Sequence, residues 1–153
     1  MNPVTVIRPC TGTGEICALL ELWRSSKDNE RELLSVTDID WLAHLVEVVF
    51  GDSARVLVAD RAAVTEGFMV LEAGRVLLLW VRPEARGMGA GTRLLGWALC
   101  KYPDLLVEVK RHNLRGIEFC RVQGFVPVAP GTPWRHADGQ RLLLGLRDDR
   151  MGP

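Results

Sequence analysis

Three glycines at alternate positions, Gly87, Gly89 and Gly91, follow an apolar run from Val76 to Val81 and the pair Arg82-Pro83, with Arg86 at the front of the loop. Apolar residues without a break read as a strand buried on both faces, and the loop hands that strand to a helix. A helix starting there presents unpaired backbone N–H groups and the positive end of its dipole, and glycine lets an anion approach the main chain without meeting a Cβ. The chemistry offered is phosphate binding. On the residues alone, a turn that packs a helix close to a sheet explains the same glycines. The spacing G-x-G-x-G is not the dinucleotide fingerprint G-x-G-x-x-G, and no Gly-Lys-Ser/Thr follows to make a P-loop.

Other chemistry-bearing residues are sparse. Cys10, Cys17, Cys100 and Cys120 are scattered with no C-x-x-C pair, so they read as reduced thiols of a cytoplasmic protein. His44, His112 and His136 form no H-E-x-x-H, and no metal site is expected. Nineteen basic residues balance nineteen acidic ones, leaving no net field to gather nucleic acid or an anionic membrane. The sequence shows neither a signal peptide nor the ~18 consecutive apolar residues of a membrane span. With 153 residues, 48% hydrophobic and 25% charged, the chain is the size of one domain with a sizeable core.

The elements that must position the loop follow from periodicity. Val4 to Arg8 alternates as a short strand ended by Pro9. A helix starts near Thr13, since Ile16, Leu19, Leu20 and Trp23 share one face. Ser25 to Glu32 is polar and reads as a loop or a poorly ordered turn. A second helix begins at Thr37, with Asp40 three residues on, and buries Ile39, Leu42, Leu45, Val46 and Val49 up to Gly51-Asp52. Ala54 to Asp60, Gly67 to Glu72 and the run ending at Val81 form an antiparallel meander, the first two separated by R-A-A-V-T-E. After the glycines, Leu94, Leu95, Ala98, Leu99 and Tyr102 mark a helix stopped by Pro103. Leu105 to Val109 is a strand, Asn113 to Gln123 a short helix ended by Gly124, and Phe125 to Val128 and Arg141 to Leu146 are strands around a Pro- and Gly-containing loop. The order is β-α-α-β-β-β-α-β-α-β-β in one domain, residues 1–147, with 148–153 as a loose tail. The strands on either side of the helix that follows the glycines should be parallel, which gives a mixed, mostly antiparallel sheet flanked by helices.

The segment from Val81 to Gly91 closely resembles the acetyl-CoA loop of the GCN5-related N-acetyltransferases (GNAT), whose pattern Gln/Arg-x-x-Gly-x-Gly/Ala appears as Arg86-x-x-Gly89-x-Gly91. Val107-Glu108-Val109, Asn113, Phe119 and Gly124-Phe125 match the second half of the family pattern. The resemblance covers Gly67 to Phe125 and implies a GNAT-like α/β fold. It implies that the main chain of Arg86, Gly87, Met88, Gly89, Ala90, Gly91 and Thr92 holds the CoA pyrophosphate. Leu79, Trp80 and Val81 would pair with the two amides of pantetheine on a strand splayed from its neighbour. Asn113 is either a cofactor contact or only the N-cap of its helix.

The implied reaction is acetyl transfer from acetyl-CoA to a primary amine of a small molecule or a protein N-terminus, by direct attack in a ternary complex. An ammonium cannot attack, so a base must take its proton, and Glu108 stands at the position of the base in relatives that acetylate protein N-termini. Cys120 stands where many relatives carry the tyrosine that protonates the leaving thiolate. The departure leaves Cys120 or water as the acid and admits a second reading, a catalytically weakened acetyl-CoA or CoA sensor. Trp23, Trp41, His44, Trp134, Arg135 and His136, with Asp38, Asp40 and Glu47, are the acceptor-side candidates. Because dimers are frequent among relatives, a homodimer is a possible assembly.

Overall fold

A computed structural model describes residues 3–25, 36–51, 54–111, 113–128 and 141–146. Along the chain run β1 (Thr5–Pro9), α1 (Thr13–Arg24), α2 (Val36–Val49), β2 (Ala54–Arg61), β3 (Val64–Glu72), β4 (Arg75–Val81), a 3-10 turn at Pro83–Ala85, α3 (Ala90–Lys101), β5 (Leu106–Lys110), α4 (Leu114–Val122), β6 (Phe125–Pro127) and β7 (Arg141–Leu146). The expected order of elements is the observed one. Of the loop expected over Ser25 to Glu32, Ser25 is the C-cap of α1 and the rest falls outside the described residues, as do the Pro- and Gly-containing loop with Trp134, Arg135 and His136, His112, the 148–153 tail and the side chains of Asp38, Asp40 and Trp41.

The seven strands form one sheet in the order β1-β2-β3-β4-β5-β7-β6. Every neighbouring pair is antiparallel except β4 and β5, which are parallel because α3 carries the chain back between them. Alternation along β3 divides the core into two layers. Met69 and Leu71 pack with Leu94, Leu95 and Ala98 of α3 and Cys120 of α4, while Phe68 and Val70 pack with Leu19 of α1 and Leu45, Val48 and Val49 of α2. β4 is buried on both sides, as its unbroken apolar run requires.

Two features of the meander depart from the expected pattern. β3 begins at Val64 rather than Gly67, because Ala62 and Ala63 both adopt positive φ (50° and 66°) and close a two-residue hairpin that needs no longer connection. Neither residue is glycine or asparagine, so nothing in their type announces the turn. The ladders also carry irregularities. Ala59 faces Gly67 while Asp60 faces Thr65, leaving Glu66 as an extra residue in β3, and Leu71 faces Val76 while Val70 faces Leu78, leaving Leu77 extra in β4.

At the start of α1, Glu15 clasps Arg8 of β1 with both oxygens (2.9 and 2.6 Å) and accepts the Thr11 N–H at 2.9 Å, while Arg8 Nε also donates to Asp60 at 2.6 Å. Hydrogen bonding to Arg8 holds the Glu15 carboxyl down at about 2, against 4.5 ordinarily. A depressed carboxylate stabilises the fold above its unfolded pKa, and the contribution fades as pH falls through the interval from about 4.5 to about 2. Urea unfolding across that interval should lose part of its pH slope in Glu15→Gln; an unchanged slope would show that the clasp does not contribute.

Candidate active site

β4 and β5 are in register only at Arg75↔Leu106 and Val76↔Val107. Past that point the two strands part, and a cleft of about 450 Å³ opens between them. The extra residue at Leu77 swings β4 at the place where the separation begins, as bulges do next to functional sites. Beyond Val76 the β5-facing edge of β4 has no strand partner among the described residues, and apart from the Val81 carbonyl oxygen, which accepts from Arg86, an extended amide chain suits its main-chain polar groups.

The cleft gathers most of the residues expected at a cofactor site. Leu79, Trp80, Val81, Arg86, Gly87, Gly89, Ala90, Gly91, Thr92 and Asn113 all line it, as do Glu108 and Cys120. Met88 does not line it; this residue is 49% exposed, and its carbonyl oxygen accepts from Arg61 Nη2 at 3.0 Å. Arg86 turns back so that its Nε donates to the Val81 carbonyl oxygen at 3.1 Å, bracing the loop against the end of β4. Asn113 is the N-cap of α4, its Oδ1 accepting the Gly116 N–H at 2.9 Å, and it faces the cleft from that position.

The three glycines serve two purposes. Gly87 and Gly89 have φ of 80° and 99°, and a Cβ on either would meet no atom within 4 Å. They shape a bare, open main-chain surface in the left-handed region where side chains are disfavoured. At Gly91 a Cβ would stand 3.1 Å from the Phe119 ring, so this glycine lets α3 sit close to α4. Close packing is thus confined to Gly91, while Gly87 and Gly89 leave the main chain bare.

Gly89 is also the N-cap of α3. It supplies no side-chain cap, and the first turn of the helix contains no acidic residue. A helix start of this kind has N–H donors to give and a dipole that favours an anion. With Arg86, Lys110 and Arg115 also on the walls, the residues fit a pyrophosphate.

Glu108 lies on β5 with its side chain 2% exposed. Its neighbours Val107 and Val109 belong to the core layer under α3, so strand alternation sends the carboxylate to the opposite side. Arg75 Nη1 donates to Oε2 at 3.4 Å; Oε1 is buried and has no hydrogen-bond partner among the described residues. Neither Arg75 nor the separation of 33 residues that it bridges is marked by any motif. Trp23 of α1 reaches the cleft, as anticipated for the acceptor side, whereas His44 sits 3.5 Å from Glu72 and does not line it. Glu47 is exposed on α2 and away from the lining. Cys120 is 2% exposed, and burial pushes its thiol up to about 11. Among the described residues no cluster of His, Cys, Asp and Glu could hold a metal ion, and no helix is long and apolar enough to cross a membrane.

The sequence profile of the Acetyltransferase (GNAT) family matches residues 19–125, a span that contains the glycine loop, the parted strands and Glu108. The chain belongs to the GNAT family. It is similar to the peptidyl-lysine N-acetyltransferase YjaB of Salmonella typhimurium, with 28% identity over 107 residues covering 70% of this chain and 74% of the relative. The solution structure of apo YjaB from Escherichia coli superposes with a TM-score of 0.71 at 26% identity, covering 93% of this chain and 97% of that one. PaiA N-acetyltransferase from Thermoplasma acidophilum, solved in complex with coenzyme A, shares the fold with a TM-score of 0.68 at 21% identity, covering 95% and 99%. This GNAT chain therefore carries the family fold over nearly all of its length, and it is an acetyltransferase by family.

Proposed function

We propose that the protein moves the acetyl group of acetyl-CoA onto a primary amine, with a lysine side chain of a peptide as the preferred acceptor. The observation that carries this reading is the cleft between β4 and β5, which joins the glycine loop to a buried carboxylate oxygen that has no hydrogen-bond partner among the described residues. Membership in an acetyltransferase family and a CoA-bound structural neighbour support the donor. The relative named as a peptidyl-lysine acetyltransferase supports the acceptor, in place of the small molecule or protein N-terminus expected from sequence. Chemistry favours it too: a lysine ε-ammonium rides on a slender apolar stem, which can pass the Trp23 and Trp80 rings while the charge travels to Glu108.

Acetyl-CoA supplies an activated acyl carbon when bound. The first-turn N–H groups of α3 and the loop from Arg86 to Thr92 hold its pyrophosphate, and the cleft-facing edge of β4 at Leu79–Val81 aligns its pantetheine arm. Glu108 Oε1 accepts a proton from the acceptor ammonium, directly or through one water, and frees the nitrogen lone pair. Arg75 keeps Oε2 occupied and so leaves Oε1 for that task. Main-chain N–H groups near Val81 polarise the acyl carbonyl as the C–N bond forms and the C–S bond breaks. Cys120 is buried and its thiol is pushed up to about 11, so no proton is drawn from it; the CoA sulfur leaves as a thiolate and takes its proton from solvent. The four cysteines are free, in keeping with action in the cytoplasm.

Mass spectrometry of peptides incubated with the protein and acetyl-CoA tests the acceptor. Acetyl groups should accumulate on lysine ε-amines well ahead of α-amines. Modification confined to α-amines or to small amines would replace lysine with the acceptor found.

A further inference from the structure

The glycine loop is tied from behind to the far side of the sheet. Arg61, the last residue of β2, places Nη2 3.0 Å from the Met88 carbonyl oxygen and 3.2 Å from Thr5 Oγ1 of β1, with Nε 3.3 Å from Glu66 Oε2. Glu66 is the extra residue of β3; its side chain is 7% exposed, and its other oxygen accepts the Thr5 hydroxyl at 2.7 Å. The Glu66 carbonyl oxygen accepts the Arg82 N–H at 2.7 Å, and Arg82 Nε donates to the Thr65 carbonyl oxygen at 3.1 Å. A buried carboxylate is costly unless paired, so this one is committed to orienting Arg61. The β-bulge that turns Glu66 inward is thereby used to aim a guanidinium at the loop.

We infer that Arg61, held by Glu66 and Thr5, is a positioning residue that aims the Gly89 N–H into the cofactor cleft. A peptide unit is planar and trans, so its C=O and N–H point in opposite directions. No described peptide bond is cis. Fixing the Met88 oxygen on Arg61 therefore turns the Gly89 N–H the other way, toward the cleft that Gly89 lines. Left-handed glycines on either side of Met88 allow its flanking peptides to flip at little cost, so the loop needs such an anchor. Arg61 touches no part of the donor in this arrangement; it fixes a peptide that does.

The inference rests on the reading of the loop as a CoA pyrophosphate site, and the test separates the two. CoA binding and steady-state kinetics are measured for wild type, Arg61→Lys and Arg61→Met, with acetyl-CoA and with S-acetyl-pantetheine, which lacks the pyrophosphate. Arg61→Met should weaken CoA binding about tenfold, the scale of one lost charge-assisted hydrogen bond, and raise the KM for acetyl-CoA with kcat little changed. Arg61→Lys should recover part of that loss. With S-acetyl-pantetheine, Arg61→Met should match wild type, which also shows that the variant is folded. An equal penalty with both donors would overturn the inference by reducing Arg61 to a structural part. So would a Kd for CoA unchanged in Arg61→Met. Failure of the wild type to bind CoA would overturn the cofactor reading itself.

Discussion

Glu108→Gln should lower kcat by roughly 10²–10⁴-fold, the usual contribution of a general base, while CoA affinity stays at the wild-type value. The expectation follows from how the carboxylate is held. With its side chain 2% exposed, Glu108 is too buried to be an ordinary surface charge. Arg75 engages Oε2 from one side, and Oε1, on the wall of the cleft, has no hydrogen-bond partner among the described residues. Leaving a buried polar atom unmet costs about 1–3 kcal/mol, a cost that a structural salt bridge would have avoided by pairing both oxygens. Glutamine preserves the shape and still accepts from Arg75, but it cannot take a proton. Loss of the base should therefore appear in kcat, not in folding or cofactor binding. Retention of wild-type turnover and pH dependence by Glu108→Gln would remove the base from Glu108.

Gly67→Ala should lower the melting temperature by roughly 5–10 °C, from an overpacking cost of about 1–3 kcal/mol or somewhat more in a chain of this size. A Cβ at Gly67 would stand 2.4 Å from the Trp80 carbonyl oxygen and 3.0 Å from Val81 Cα. Both obstacles are backbone, so no side chain can swing aside. β3 and β4 would have to move apart where Gly67 faces Val81, at the end of β4 that leads into the glycine loop. CoA affinity should fall in the same variant, because Leu79 to Val81 line the cleft. Gly96→Ala supplies the contrast: Gly96 is an exposed helical position with nothing within 4 Å of its Cβ site, and alanine there should leave stability equal or higher. Equal melting temperatures for Gly67→Ala and wild type would show that the two strands do not approach as closely as described.

Local pattern carried most of the fold. The helices announce themselves by period, Pro103 and Gly124 mark their ends, and the unbroken run to Val81 identifies a strand covered on both sides. The bulges at Glu66 and Leu77 left no trace, since any residue can be the extra one and only pairing across the ladder reveals it. Those two residues nevertheless matter most to the site, one orienting Arg61 and the other beginning the separation of β4 from β5. Long-range partners were equally silent: Arg61 lies 27 residues from Met88, and Arg75 lies 33 from Glu108. The glycine motif located the cleft, yet three identical residues could not tell that Gly87 and Gly89 leave space while Gly91 lets a ring approach. Cys120 stood out by replacing an expected tyrosine, but its burial beneath the sheet became visible only in the fold.

If the cleft joins a bound acetyl donor to an amine under the control of Glu108, release of CoA must depend on the amine. Continuous measurement of free CoA thiol, with acetyl-CoA present and a lysine-containing peptide added or withheld, tests it most directly. Thiol release should depend on the peptide, saturate with its concentration, equal the acetyl groups found on it, and collapse in Glu108→Gln. CoA binding with no acceptor-dependent thiol release, across peptides and small amines alike, would contradict it and leave a domain that holds the cofactor to sense it.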